Sequence, residues 1–134
     1  MRMLLLAATA VAVLTGAHPA PVMAQSAQPV VQWNRTLLVI VRTPGEQPAT
    51  IHTTRSFAIM HAAIYDAVNA IDGTHKPYLV GFSASPVASQ EAAASSAAHE
   101  VLVKLYPNMQ STLDAQLQQA LAPLPNRERL RASA

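Results

Sequence analysis

The chain has 134 residues, no cysteine and a formal charge of +2. The missing cysteines exclude disulfides, thiol nucleophiles and cysteine-ligated zinc. Residues 25–126 carry five basic against six acidic groups, so the basic balance comes from the two ends and no basic surface points to nucleic acid.

Met1-Arg2-Met3 is a short positive start, Leu4 to Leu14 is an unbroken run of apolar or small residues, and Val22-Met23-Ala24 has the small-residue pattern that signal peptidase cuts. This reads as a signal peptide over residues 1–24, with a mature chain from Gln25. The apolar run is about half of the roughly 20 residues that a membrane-spanning helix needs, and Gly16, Pro19 and Pro21 break it, so no stable membrane anchor is expected. What remains is enough for one small domain. The whole chain's hydrophobic content of 51% is inflated by alanine, and its aromatic residues are few: Trp33, Phe57, Tyr65, Tyr78, Phe82 and Tyr106.

Residues 25–29 read as a polar lead-in, after which Val30, Trp33, Leu37 and Val41 recur at helical spacing. The run Leu37-Leu38-Val39-Ile40-Val41 would also suit a buried strand, which periodicity alone does not decide; helix is the reading taken. Thr43-Pro44-Gly45 ends the element. A second helix is expected from Thr50 to Asp72, with Phe57, Ile64, Val68 and Ile71 on its core face and Arg55, Ala62, Asp66 and Asn69 opposite. Gly73 sits at the C′ position and Pro77 forbids continuation, so residues 73–85 form a loop.

Ser85-Pro86 reads as an N-cap and first helical proline, opening a third helix to about Tyr106 with the stripe Val87, Ala94, Ala98, Val101 and Leu105. Glu100 and Lys104 form an i, i+4 pair on its solvated face. Past Pro107, Leu113, Leu117, Ala120 and Leu124 define a fourth amphipathic segment. The fold class is therefore all-α, an antiparallel array of about four helices. So short and alanine-rich an array should leave apolar surface exposed, on the second helix and along the Ala94, Ala98, Val101, Leu105 stripe.

Chemical motifs fail on particular residues. His99-Glu100 opens like a zinc-protease helix, but position 103 is Val103 where the second histidine belongs. Gly81-Phe82-Ser83-Ala84-Ser85 has serine where a nucleophile elbow wants its last glycine. His52, His61, His75 and His99 share no spacing that fixes two of them on one helical turn. His61 is read as an interhelical hydrogen-bond partner, and Asp66 with Asn69 as a brace for a loop or a cap for another helix. Asn34-Arg35-Thr36 satisfies the glycosylation sequon but falls inside the first periodic segment.

The stretch Arg55-Ser56-Phe57-Ala58-Ile59-Met60-His61-Ala62-Ala63-Ile64-Tyr65-Asp66-Ala67-Val68-Asn69-Ala70-Ile71-Asp72 resembles the N-terminal helical region of bacterial vanadium-dependent haloperoxidase-like proteins of the PAP2 phosphatase superfamily. Val31-Gln32-Trp33-Asn34 before it, and Ala98-His99-Glu100-Val101-Leu102 with Leu105-Tyr106-Pro107 after it, agree, so the similarity covers roughly residues 30–125. The resemblance implies a larger helical-bundle enzyme in which a histidine, with Lys, Arg and backbone donors, holds vanadate for peroxide-dependent halide oxidation, or takes up phosphate in the related phosphatases. The family motifs that supply those groups are Lys followed at a distance by Arg-Pro, Pro-Ser-Gly-His, and Ser-Arg followed by His. None occurs here: Lys76 and Lys104 precede no Arg-Pro, and there is no Ser-Gly-His.

No catalytic, cofactor-binding or metal-binding residue is therefore carried over. Residues 25–134 are expected to be the non-catalytic N-terminal scaffold of such a protein, truncated before its catalytic part and inactive alone, with vanadate belonging only to the full-length family. The expected partners are the missing C-terminal helical bundle or another helical protein, with self-association a further outcome. The expected location is periplasmic or secreted. The rival reading is a free-standing periplasmic helical interaction module.

Overall fold

The computed structural model describes residues 23–50 and 52–124. The signal-peptide assignment to residues 1–24 falls almost wholly outside them, as does the arginine-rich end. Among the described residues the structure is all-α, with four α-helices packed against one another.

Helix α1 spans Met23–Arg42 and buries Trp33, Leu37 and Ile40, one face at helical spacing, with Val30 and Val41 packed at its margin. The ambiguous run 37–41 is thus helical. The expected polar lead-in at 25–29 is corrected: these residues belong to α1, and Pro29 sits inside the helix, where it deletes one backbone donor. A Thr43 to Glu46 turn follows, closed by the Glu46 N–H donating to the Thr43 carbonyl at 3.2 Å. Pro44 pre-sets the first central position and Gly45, at φ +88°, takes the left-handed second one.

Helix α2, Thr53–Asp72, starts three residues later than expected and ends where expected, with Gly73 at φ +66° donating its N–H to the Asn69 carbonyl. Its buried line is Ser56, Met60 and Ile64, so the expected core face centred on Phe57 is rotated; Phe57 and Val68 are only partly covered. Asp66 and Asn69, expected on the solvent side, are also buried. The cause is the loop after α2, which folds back over the polar side of the helix.

Helix α3 spans Gln90–Leu105, not Ser85–Tyr106. Ser89 is its N-cap, accepting the Ala92 N–H at 3.2 Å, while Ser85 to Ala88 form a separate turn. The buried stripe is Ala94, Ala98 and Leu102 with Ala92 and Ser95; the expected member Val87 lies out in the loop, and Val101 and Leu105 sit at the margin. Pro107 blocks further α3 and opens a short 3₁₀ turn, Pro107–Met109, that leads into α4, Gln110–Leu121, with Leu113 and Leu121 buried.

Helix α3 is the centre of the array and packs on the other three helices. Its alanines let neighbours approach closely, and the side chains that fill the space come from those neighbours: Trp33, Leu37, Met60, Ile64 and Leu113. Tyr106, at the end of α3, is fully buried against the start of α2, its hydroxyl 2.7 Å from Ser56 Oγ and 3.1 Å from Gln47 Oε1. The end of α2 meets the start of α3, since Ile71 and Ala92 line one groove, so these two helices run antiparallel. Cross-links at the rim join His61 Nε2 to Asn34 Oδ1 at 3.1 Å and the Thr36 hydroxyl to Gln116 Oε1 at 2.6 Å.

Candidate functional site: an apolar loop pinned by one carboxylate

Residues 73–87 contain neither helix nor strand and every one of their side chains is exposed, yet α2 fixes the backbone with eight hydrogen bonds, the Gly73 cap included. Asp66 makes three of them. Its Oδ1 accepts the Tyr78 N–H at 2.6 Å and its Oδ2 accepts those of Leu79 and Val80 at 2.8 and 3.0 Å. Three successive amides converging on one anion form a small concave nest, and bonds to an ionised acceptor are stronger than neutral ones. The Tyr78 amide, together with those of Leu79 and Val80, holds the Asp66 carboxyl below its ordinary value of 3.8, against the opposing effect of burial.

One turn further along α2, Asn69 clamps His75 from both sides: its Oδ1 accepts the His75 N–H at 2.9 Å and its Nδ2 donates to the His75 carbonyl at 2.8 Å. Tyr65 donates its hydroxyl to the Lys76 carbonyl at 3.0 Å, and the Ala84 N–H reaches the Ala70 carbonyl at 2.8 Å. The loop-bracing reading of Asp66 and Asn69 is what these contacts show. Exposed apolar surface is expected on α2 and the α3 stripe; it is found in small part on α2 and mostly in the loop after it. The buried lines of α2 and α3 pack together; Ile59 and Tyr65 of α2 and Val31 and Val39 of α1 are exposed, but the densest run of exposed apolar side chains is in the loop, at Tyr78, Leu79, Val80, Phe82 and Val87, with Leu79 74% and Tyr78 71% accessible.

The histidines do not converge. His61 makes the expected interhelical bond, though at the exposed rim and not in the core. His75 stands edge-on to Tyr65 in the loop, and His52 precedes α2 without capping it through its side chain. His99 Nε2 lies 2.6 Å from Asp114 Oδ1 on α4, Nδ1 faces Glu100 at 3.9 Å, and the ring meets Trp33 edge-on with centroids 6.4 Å apart. A histidine whose two nitrogens both face carboxylates resembles part of a catalytic dyad, but no serine or threonine hydroxyl bonds to it among the described contacts. The His99 to Asp114 pair, 15 residues apart, left no trace in the sequence; nor did the Tyr106 network. Among the described residues, no three His, Asp or Glu side chains are grouped as a metal site.

A polar cleft of about 1080 Å³ lies between α1, α3 and α4, with Gln32, Arg35, Thr36, Glu91 and Gln116 on its walls. Among the described residues Arg35 is the one cation on its walls, and Glu91 lines it too. A vanadate or phosphate trianion requires several converging cations, so these residues do not fit that group. A second, apolar groove of about 320 Å³ runs between α2 and α3, walled by Ile71, Phe82 and the small residues Ala67, Ala92, Ala93 and Ala97.

Compared with protein-family models, with characterised proteins and with solved structures, the chain matches none.

Proposed function

We propose that this chain is an exported helical scaffold, the non-catalytic N-terminal portion of a vanadium-dependent haloperoxidase-like protein of the PAP2 superfamily. One observation carries the scaffold role. The segment Arg55 to Asp72, on which the family resemblance rests, uses its polar side chains for internal architecture: Ser56 with Tyr106, His61 with Asn34, Tyr65 with the Lys76 carbonyl, Asp66 with three amides and Asn69 with His75. Side chains so committed shape a bundle, and this is what supports the scaffold reading. On this reading vanadate chemistry belongs to later parts of a longer protein, which carry the Pro-Ser-Gly-His and associated motifs, and the partner of this portion is that bundle. Export to the periplasm or beyond rests on the leader at residues 1–24. No helix among the described residues is long and apolar enough to cross a membrane.

Two measurements test the proposal. Sequencing the coding DNA beyond codon 134 in all three frames should reveal Pro-Ser-Gly-His downstream; unrelated sequence after a clean stop overturns the family assignment. The purified chain should neither oxidise bromide with vanadate and peroxide nor release phosphate from an aryl phosphate, and activity that survives repurification overturns the non-catalytic role. The second reading, a free-standing helical interaction module, is favoured by the ordered but exposed loop at Tyr78 to Val80.

A further inference from the structure

The polar cleft between α1, α3 and α4 holds groups that the fold itself does not use. Ser95 lines it and is 2% exposed, yet its hydroxyl has no hydrogen-bond partner among the described residues. Buried hydroxyls are ordinarily satisfied, so one left open at a cleft wall marks a place for a polar atom from outside the chain. Arg35 and Glu91 line the same cleft, and neither makes an ion pair or a side-chain hydrogen bond among the described residues.

The helices set these two charges apart. Helix α1 runs antiparallel to α2, since Asn34 meets His61 at matching distances from the turn that joins the helices, whose flanking ends are Arg42 and Thr53. Helix α2 runs antiparallel to α3, so α1 and α3 share one direction. Trp33 touches His99; Arg35 lies just beyond the first and Glu91 two turns before the second, an offset of about 15 Å at the helical rise. Beside Arg35 the Thr36 hydroxyl bonds Gln116 Oε1 at 2.6 Å and joins the α1 and α4 walls. Gln28 and Gln32 lie along the α1 wall towards the Glu91 end, Gln119 lines the α4 wall, and the amides of all three lack hydrogen bonds among the described residues.

We propose that this cleft binds a free oligopeptide in extended form, its terminal carboxylate on Arg35, its terminal ammonium on Glu91, and its backbone along the glutamine amides and the Ser95 hydroxyl. At roughly 3.3–3.6 Å per extended residue, about four or five residues span the offset. Each peptide unit presents one donor and one acceptor, and a glutamine amide offers both in return. An oligosaccharide carries no charges to match Arg35 and Glu91, and a nucleic acid needs more than one cation. A helix of the C-terminal bundle has already spent its main-chain groups on itself and would leave these amides unanswered. The site does not depend on the family assignment and is tested apart from it.

Isothermal titration calorimetry of the purified chain with penta-alanine, free at both ends, should show saturable binding with a dissociation constant below about 1 mM. Acetylating the amine, amidating the carboxylate, or shortening the probe to tri-alanine, which spans only about 10 Å, should each weaken binding at least about tenfold. Arg35→Gln should weaken the free peptide as much and leave the amidated one unchanged, and Glu91→Gln should do the same with the acetylated one. Ser95→Ala should weaken free and capped peptides alike, by about threefold or more. Arg35 is exposed and Glu91 partly so, and unchanged far-ultraviolet circular dichroism checks that these variants fold. No saturation by about 10 mM penta-alanine overturns the proposal. So do equal affinities for free and capped peptides, a preference for free ends that survives both Arg35→Gln and Glu91→Gln, or binding of maltopentaose in place of the peptide.

Discussion

The junction around Trp33 and the loop between α2 and α3 are both ordered, by opposite means. At the junction Trp33, Leu37, Leu102 and Leu113 are all fully buried, and the Trp33 indole N–H is even left without a partner among the described residues. Order there comes from apolar burial spread over many side chains. In the loop almost nothing is buried, and three amides depend on one carboxylate. The difference teaches that fixed geometry and global stability are separable: the junction supplies stability, while the loop supplies a defined surface at little cost to the rest.

The largest effect should come from the junction. Trp33→Ala removes the largest fully buried side chain and should cost about 3–5 kcal/mol, read as a fall in the urea midpoint; a loss below about 1 kcal/mol would mean the junction is not where stability resides. Tyr106→Phe is next. It takes the hydroxyl from buried Ser56 and should cost about 1–3 kcal/mol by the same measurement. Gly73→Ala follows, at about 1 kcal/mol. An added Cβ would meet nothing within 4 Å, so the penalty comes from φ +66° alone, and an unchanged midpoint would refute that cause.

Asp66→Asn should move the midpoint least of all, yet abolish hydrogen-exchange protection at the Tyr78, Leu79 and Val80 amides while the α3 amides keep theirs. The same loss should follow acid. Because the folded carboxyl titrates below its ordinary value of 3.8, its contribution is complete above that pH and is lost as the pH falls through the lower folded value. Loop amides that stay protected in strong acid, or core amides that open together with them, would erase the distinction between the two regions.

What the sequence disclosed divides along the same line. Helix number, the stop at Gly73, the loop that follows and the bracing by Asp66 and Asn69 were legible, because periodicity, glycine and proline act locally. The face of α2 was misjudged. A helical wheel treats Asp66 and Asn69 as solvent-facing, and no local pattern says that residues 73–87 will fold back and bury them. The start of α3 was misplaced for a similar reason: Ser85-Pro86 and Ser89 are both competent starts, and the choice falls to where the chain reaches the core. The pairings of His99 with Asp114 and of Tyr106 with Ser56 join residues 15 and 50 positions apart, and only packing brings them together. Exposure of Tyr78, Leu79 and Val80 was the least legible, since three neighbouring apolar residues ordinarily go inside.

Trp33 is the single tryptophan of the chain. It is fixed on α1, its ring meets His99 of α3, and that histidine is tied in turn to Asp114 of α4. One intrinsic fluorophore therefore stands where three helices converge. Its emission responds only when their docking changes, and is silent to helix that persists after docking is lost. A spectroscopist who follows emission beside ellipticity can thus time assembly of the array separately from coiling of its segments, without attaching any label.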